Sequence, residues 1–153
     1  MSRVRTLLAS ASLLLLSCAP LFAFGHGLSY TQFVYSNLQL SLKEIPSDGE
    51  IIITVDVENV GTRTGDEVVQ LYVRDVESSV RRPDKELRGF ERISLSPGTK
   101  RKVTFPLRAG QLAYWDEAKS HSFVVEPGVF DVMLGSSSAD IRATAQFRVT
   151  ASQ

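Results

Sequence analysis

The sequence predicts an all-β fold, a two-sheet antiparallel β-sandwich of seven or eight strands. Three observations lead there. Apolar residues recur with period two in short runs, which is how a strand with one buried and one wet face reads. Turn sequences separate the runs, and no segment sustains the helical period over the length of an ordinary helix. With 153 residues the length prior is one domain.

The clearest run begins at Glu50. Ile51, Ile53, Val55 and Val57 share one face, and Glu50, Thr54, Asp56 and Glu58 the other, with Ile52 as the exception. Val69, Leu71 and Val73 then alternate with Gln70, Tyr72 and Arg74. Val103, Phe105 and Leu107 alternate with Lys102, Thr104 and Pro106; Phe130, Val132 and Leu134 with Asp131 and Met133. The last long run sets Ile141, Ala143, Ala145, Phe147 and Val149 against Arg142, Thr144, Gln146 and Arg148. Two further strands are expected at 33–42 and 121–126. In the first, the apolar parity changes near Ser36-Asn37, which predicts a bulge. Pro106 has no N–H to give a ladder, so its strand should lie at a sheet edge or be ending. Asp48-Gly49, the stretch Gly61 to Gly65, Ser96-Pro97-Gly98 and Glu126-Pro127-Gly128 supply turn chemistry between the runs. Val55, Leu71, Phe105, Val132 and Phe147, each mid-strand on the apolar parity, are the expected core.

The N-terminus reads differently. Arg3 and Arg5 precede an apolar stretch from Leu7 to Leu16, and Ala19 to Ala23 offers small residues for cleavage. Residues 1–23 are read as a secretory signal peptide, since the run falls short of the roughly 20 apolar residues a membrane span needs. The expected location is secreted or periplasmic. Cys18 is the single cysteine, so no intramolecular disulfide can form and the fold must rest on its core. The sequence Leu15-Leu16-Ser17-Cys18 resembles a bacterial lipoprotein cleavage box, with Leu16 departing from the usual small residue. Cys18 either leaves with the signal or becomes a lipid anchor. Charge is balanced, 17 Lys+Arg against 17 Asp+Glu, which removes the electrostatic basis for nucleic-acid binding.

Several segments together carry a family resemblance. Phe24-Gly25-His26-Gly27-Leu28-Ser29-Tyr30-Thr31, the run Asn59 to Val73, Arg82-Pro83-Asp84-Lys85-Glu86-Leu87-Arg88-Gly89-Phe90, Glu126-Pro127-Gly128 and Gly135-Ser136-Ser137-Ser138 stand in the order and spacing of the C-terminal part of family-3 glycoside hydrolases, the β-glucosidase and β-xylosidase group. The resemblance runs from Phe24 to about Thr150. It implies a fibronectin type III/immunoglobulin-like sandwich at 33–150, preceded at 24–32 by a remnant linker from the preceding enzyme domain. Glu126 to Val132 has the layout of the tyrosine corner of such sandwiches, with Phe130 in place of the tyrosine. In that family the catalytic nucleophile, an Asp, and the acid/base belong to domains that would lie upstream of Phe24. No catalytic residue can therefore be carried over, and no cofactor is implied.

The residues themselves agree. A glycosidase needs two converging carboxylates. Asp66 and Glu67 are adjacent on a strand and point to opposite faces; Asp84 and Glu86 lie in a charged loop. All are read as solvated carboxylates. His26 and His121 are the only histidines and have no ligand cluster around them, so no metal is expected. Ser136-Ser137-Ser138 reads as a turn, with no nucleophile-elbow context.

Two candidates remain. The loop bearing Arg81, Arg82, Pro83, Asp84, Lys85 and Glu86 breaks the strand pattern. It reads either as a solvated connection or as a docking loop, and the docking reading is favoured because Pro83 stiffens it. By resemblance, it would face glycoside hydrolase catalytic domains. Phe24 to Tyr30 belongs with it and is expected to fray or lie loosely. At Tyr114-Trp115, one aromatic should face the core and one the solvent, where Trp115 could stack on a sugar. The expected function is thus a non-catalytic accessory module. The alternatives are a β-glucosidase whose activity lies in upstream domains missing from this chain, and a secreted module binding polysaccharide.

Overall fold

The computed structural model describes residues 20–118 and 120–151. Most of the expected signal peptide, with Cys18, lies outside them. Among the described residues, no helix is long and apolar enough to cross a membrane.

Ten strands follow in chain order: β1 (Phe33–Leu40), β2 (Glu44–Pro46), β3 (Glu50–Asn59), β4 (Gly65–Asp75), β5 (Glu86–Leu95), β6 (Lys100–Arg108), β7 (Tyr114–Asp116), β8 (Ser122–Val124), β9 (Gly128–Gly135) and β10 (Ile141–Thr150). A short 3-10 helix, Ala109–Leu112, precedes β7. One sheet has the order β1-β3-β6, and the facing sheet β2-β10-β9-β4-β5. All ladders are antiparallel except β2, which runs parallel to β10. The strands β7 and β8 form a separate two-stranded ribbon. This is the expected β-sandwich.

Between the two sheets lies one apolar core, which includes Val55, Leu71, Phe105, Val132 and Phe147. The expected bulge is present. Ser36 pairs with Asp56 but Gln39 with Thr54, so two residues of β1 oppose one of β3. Asn37 takes a positive φ there and donates its amide to Asp56 Oδ2 at 2.9 Å. Pro106 pairs with Ile52 on β6, which is an edge strand, so its missing N–H costs no ladder bond. Phe130, at the corner position, stacks on Phe147 with ring centroids 5.6 Å apart. A second bulge, where β5 has Leu87 and Gly89 opposite Tyr72 and Leu71, brings Gly89 over the core. A Cβ on Gly89 would sit 3.1 Å from the Phe105 ring, so glycine lets that ring approach the opposite sheet.

Two polar clusters tie the elements. The fully buried Asn59 fills its hydrogen-bonding capacity. Its amide donates to the carbonyls of Arg63 (2.8 Å) and Leu95 (2.9 Å), and its Oδ1 accepts from Thr31 Oγ1 (2.7 Å) and Gly61 N–H (3.0 Å). The second cluster crosses between sheets. Tyr35 on β1 donates its hydroxyl to Glu67 Oε1 on β4 at 2.8 Å. Arg142 on β10 lies 3.5 Å from the same oxygen, 5.0 Å over the Tyr35 ring, and donates to Asp140 Oδ2 at 2.7 Å and to the Phe33 carbonyl at 3.1 Å. Glu67 is only 6% exposed, which corrects its reading as a solvated carboxylate. It shares the inward parity of Val69 and Leu71. Burial is the dominant influence and pushes its carboxyl above the ordinary range, although the Tyr35 hydroxyl and Arg142 act the other way.

Gln70 and Tyr72 require a correction too. The alternation put them on a wet face, yet they are 4% and 2% exposed. The N-terminal segment and the turn after β9 cover that part of the outer face of β4, as described below.

Two outcomes follow from this packing. Phe147→Ala removes one ring of the Phe130–Phe147 stack and should destabilise the domain by about 3–5 kcal/mol in denaturant unfolding; melting within a degree or two of the parent would show that the ring is not in the core. For Glu67 the native state holds the proton more tightly than the unfolded chain. Its contribution to stability therefore falls as pH rises from the ordinary glutamate value, about 4.3, through the raised one. Glu67→Gln keeps an acceptor for Tyr35 and removes this titration. Unfolding curves at a series of pH values should show the variant gaining on the parent as pH rises; a gap moving the other way would mean that the Arg142 contact outweighs burial.

Candidate functional site

The loop between β4 and β5 carries the sequence-level docking candidate. Arg82 turns inward. Its guanidinium donates to Asp75 Oδ2 (3.3 Å), the Leu112 carbonyl (3.0 Å) and Glu86 Oε1 (3.1 Å), and lies 5.7 Å over the Tyr114 ring. Glu86 is bound by Arg88 as well. Lys85 Nζ donates to the Ser138 carbonyl at 2.7 Å. Burial pushes the Asp75 carboxyl up, against the opposing pull of the Glu77 N–H and Arg82. Arg82, Lys85 and Glu86 therefore fasten the loop to the body, and a uniformly solvated loop is not what forms. Arg81, Pro83 and Asp84 remain exposed.

The N-terminal segment crosses the outer face of β4. Gln70 donates its amide to the carbonyls of Gly25 (3.2 Å) and Ser136 (2.5 Å) and accepts from the Tyr72 hydroxyl at 2.5 Å. Ser138 N–H donates to the Phe24 carbonyl at 2.9 Å. Gly25 has φ +76°, and a Cβ there would fall 2.1 Å from Gln70 Oε1, so only glycine fits. The backbone at 24–25 is thus fastened rather than loose. The side chains point away: Phe24 is exposed, and Leu28 and Tyr30 are each 94% exposed. Beside them on the same outer sheet face, Val68 and Phe90 are exposed, with Phe90 directly across from Gln70 in the β4–β5 ladder.

Trp115 lies on the β7–β8 ribbon. Tyr114 is half-buried under Arg82 while Trp115 is exposed, which is the in/out split that alternation required. The structure brings both sequence candidates together: Arg81, Arg82, Pro83 and Glu86 line one open groove of about 500 Å³ with Trp115 and Glu117. Register adds a residue that the sequence reading did not single out, Phe123, directly opposite Trp115.

The catalytic candidates do not converge. Asp66 faces out and is held by Arg92, whose hydrogen bonds keep its carboxyl below the ordinary range. Glu67 and Asp140 share the single guanidinium of Arg142. Ser136 and Ser137 hydrogen-bond with Asp140 inside their own turn. Among the described residues, no three His, Cys, Asp or Glu side chains gather to hold a metal ion.

Comparison with known proteins fits this arrangement. The family profile for the fibronectin type III-like domain matches residues 67–138. Thermostable β-glucosidase B of Acetivibrio thermocellus is 48% identical over 130 residues, which is 85% of this chain and 17% of that protein. A putative β-xylosidase of Formosa agariphila is 44% identical over 126 residues, 82% of this chain and 16% of that one. A crystal structure of a β-glucosidase from Listeria innocua superposes with a TM-score of 0.79 at 32% identity, covering 87% of this chain and 18% of that one. The chain thus spans about a sixth of the length of the relatives it matches. Its sandwich belongs to the fibronectin type III-like domains of the family-3 glycoside hydrolases, the β-glucosidase and β-xylosidase group.

Proposed function

We propose that this domain is a non-catalytic accessory module that docks on the catalytic part of a β-glucosidase-type hydrolase. The observation that carries this reading is the N-terminal segment: a backbone fastened at Phe24 and Gly25 by Ser138 and Gln70, with the apolar side chains of Phe24, Leu28 and Tyr30 exposed to solvent. An exposed apolar side chain on a fixed backbone, as at Phe24, loses little entropy on burial, and Leu28 and Tyr30 add apolar surface beside it, which favours docking. Val68 and Phe90 extend the apolar surface across the sheet. The Arg81–Glu86 loop has a framework role through Arg82, Lys85 and Glu86; Arg81, Pro83 and Asp84 are the part of it left for contact. The leader-like N-terminus supports an exported, secreted or periplasmic setting, and the lipid anchor at Cys18 rests on its motif alone.

A relative β-glucosidase from which the matching segment has been deleted provides the test. This chain alone should hydrolyse an aryl β-glucoside or β-xyloside no faster than buffer. Added in trans, it should raise the Tm of the truncated enzyme. A Phe24→Ser, Leu28→Ser, Tyr30→Ser variant should lose that effect while melting like the parent on its own. Turnover by the chain alone, abolished by one Asp or Glu substitution, overturns the non-catalytic reading. Equal rescue by the triple variant overturns the docking surface.

A further inference from the structure

We infer that the β7–β8 ribbon carries a carbohydrate-stacking platform for a neutral pyranoside with equatorial hydroxyls, built on Trp115 and Phe123. This goes beyond the docking reading and uses none of Phe24, Leu28, Tyr30, Val68 or Phe90.

The ribbon stands outside both sheets, and its two faces differ. Its inner face is occupied. Tyr114 lies under Arg82, and Asp116, almost buried, accepts from the Ser120 N–H and hydroxyl at 3.1 Å each. Its outer face presents Trp115 and Phe123 as a cross-strand pair, 50% and 74% exposed. Their centroids are 5.4 Å apart and their planes meet at 75°, so together they make a corner with two apolar walls. Burial in the core does not account for either ring, and their mutual contact leaves half of Trp115 and most of Phe123 uncovered.

A polar group completes the corner. The Trp115 indole N–H donates to Glu117 Oε2 at 2.6 Å, which fixes the ring plane before any ligand arrives and sets a carboxylate acceptor at its edge. Arg81, exposed and with no hydrogen-bond or ion-pair partner among the described residues, lines the neighbouring groove, whose lining includes Tyr114, Trp115 and Asp116 but not Phe123, and so stands apart from the corner. A flat apolar surface with an anionic acceptor at its edge matches a ring that is apolar on its faces and hydroxylated at its rim. Pyranosides with equatorial hydroxyls, gluco- or xylo-configured and β-linked, have that shape. The Glu117 carboxylate at the rim selects against an anionic ligand. A protein partner fits less well, because a stable protein interface needs about 800 Å² from each side, far more than two rings supply.

Trp115 is the only tryptophan in the chain, so its emission reports on this site alone. Titration with cellotetraose or xylotetraose should give a saturable change in emission, with maltotetraose, whose linkages curve the chain, giving less. Phe123→Ala should weaken the response by about tenfold at unchanged Tm. Trp115→Ala should abolish retention on insoluble cellulose or xylan. Should Phe123→Ala melt early, Phe123→Leu, which keeps the apolar bulk but not the flat ring, is read in its place. No change in emission with either β-linked sugar up to about 10 mM overturns the platform. So does full retention by both the Trp115 and Phe123 variants. Either failure leaves the docking reading standing, because that is read at other side chains.

Discussion

The middle of strand β4, Val69 to Val73, is buried on both faces, and much of the rest of the structure depends on it. Inward, Val69, Leu71 and Val73 fill the space between the sheets. Outward, Gln70 and Tyr72 are sealed as well. A buried primary amide must have its donors and acceptor satisfied, or the fold loses the desolvation energy of each. Gln70 meets this demand with the Gly25 and Ser136 carbonyls, from distant parts of the chain, and the Tyr72 hydroxyl on its own strand. That requirement places the turn after β9 and the N-terminal segment on the same patch of sheet, and the Ser138–Phe24 hydrogen bond then joins them to each other.

The consequence for function is a division of labour between backbone and side chain. At Phe24 and Gly25 the backbone is spent on the sandwich, while Phe24, Leu28 and Tyr30 are left uncovered. In the loop leading into β5, Arg82, Lys85 and Glu86 are turned inward to fasten the backbone, and Arg81 and Asp84 are left exposed. The inward carboxylates of β4, Glu67 and Asp75, are each shared with an arginine, and Glu67 also accepts from the Tyr35 phenol, which suits a tie within the sandwich.

How much of this the sequence could convey depended on whether the determinant was local. The bulge at Ser36-Asn37 and the edge position of Pro106 were legible, because parity and a missing N–H are properties of one strand. So was the outward face of Trp115. Gln70 and Tyr72 were not: alternation tells which face a residue takes, and not what later covers that face. Strand β5 hid because only Ile93 and Leu95 are fully buried in it, and Leu87 and Arg88 stand at a bulge. Phe123 acquired meaning only through its register with Trp115. Glu67 could have been found, since a carboxylate on the inward parity of Val69 needs a cation, and Arg142 occupies the long last strand.

Gln70 fastens the start of the N-terminal segment at Gly25, and the segment's apolar side chains stand uncovered. Hydrogen exchange at single amides tests this most directly in the chain by itself. The Ser138 amide, which donates to the Phe24 carbonyl, should be protected, while Leu28 and Tyr30, exposed and unpaired in the backbone, exchange fast. In Gln70→Ala, protection at Ser138 should fall while Val55 in the core stays slow. Fast exchange at Ser138 in the parent chain would contradict the account, because the segment would then be frayed and its side chains undirected.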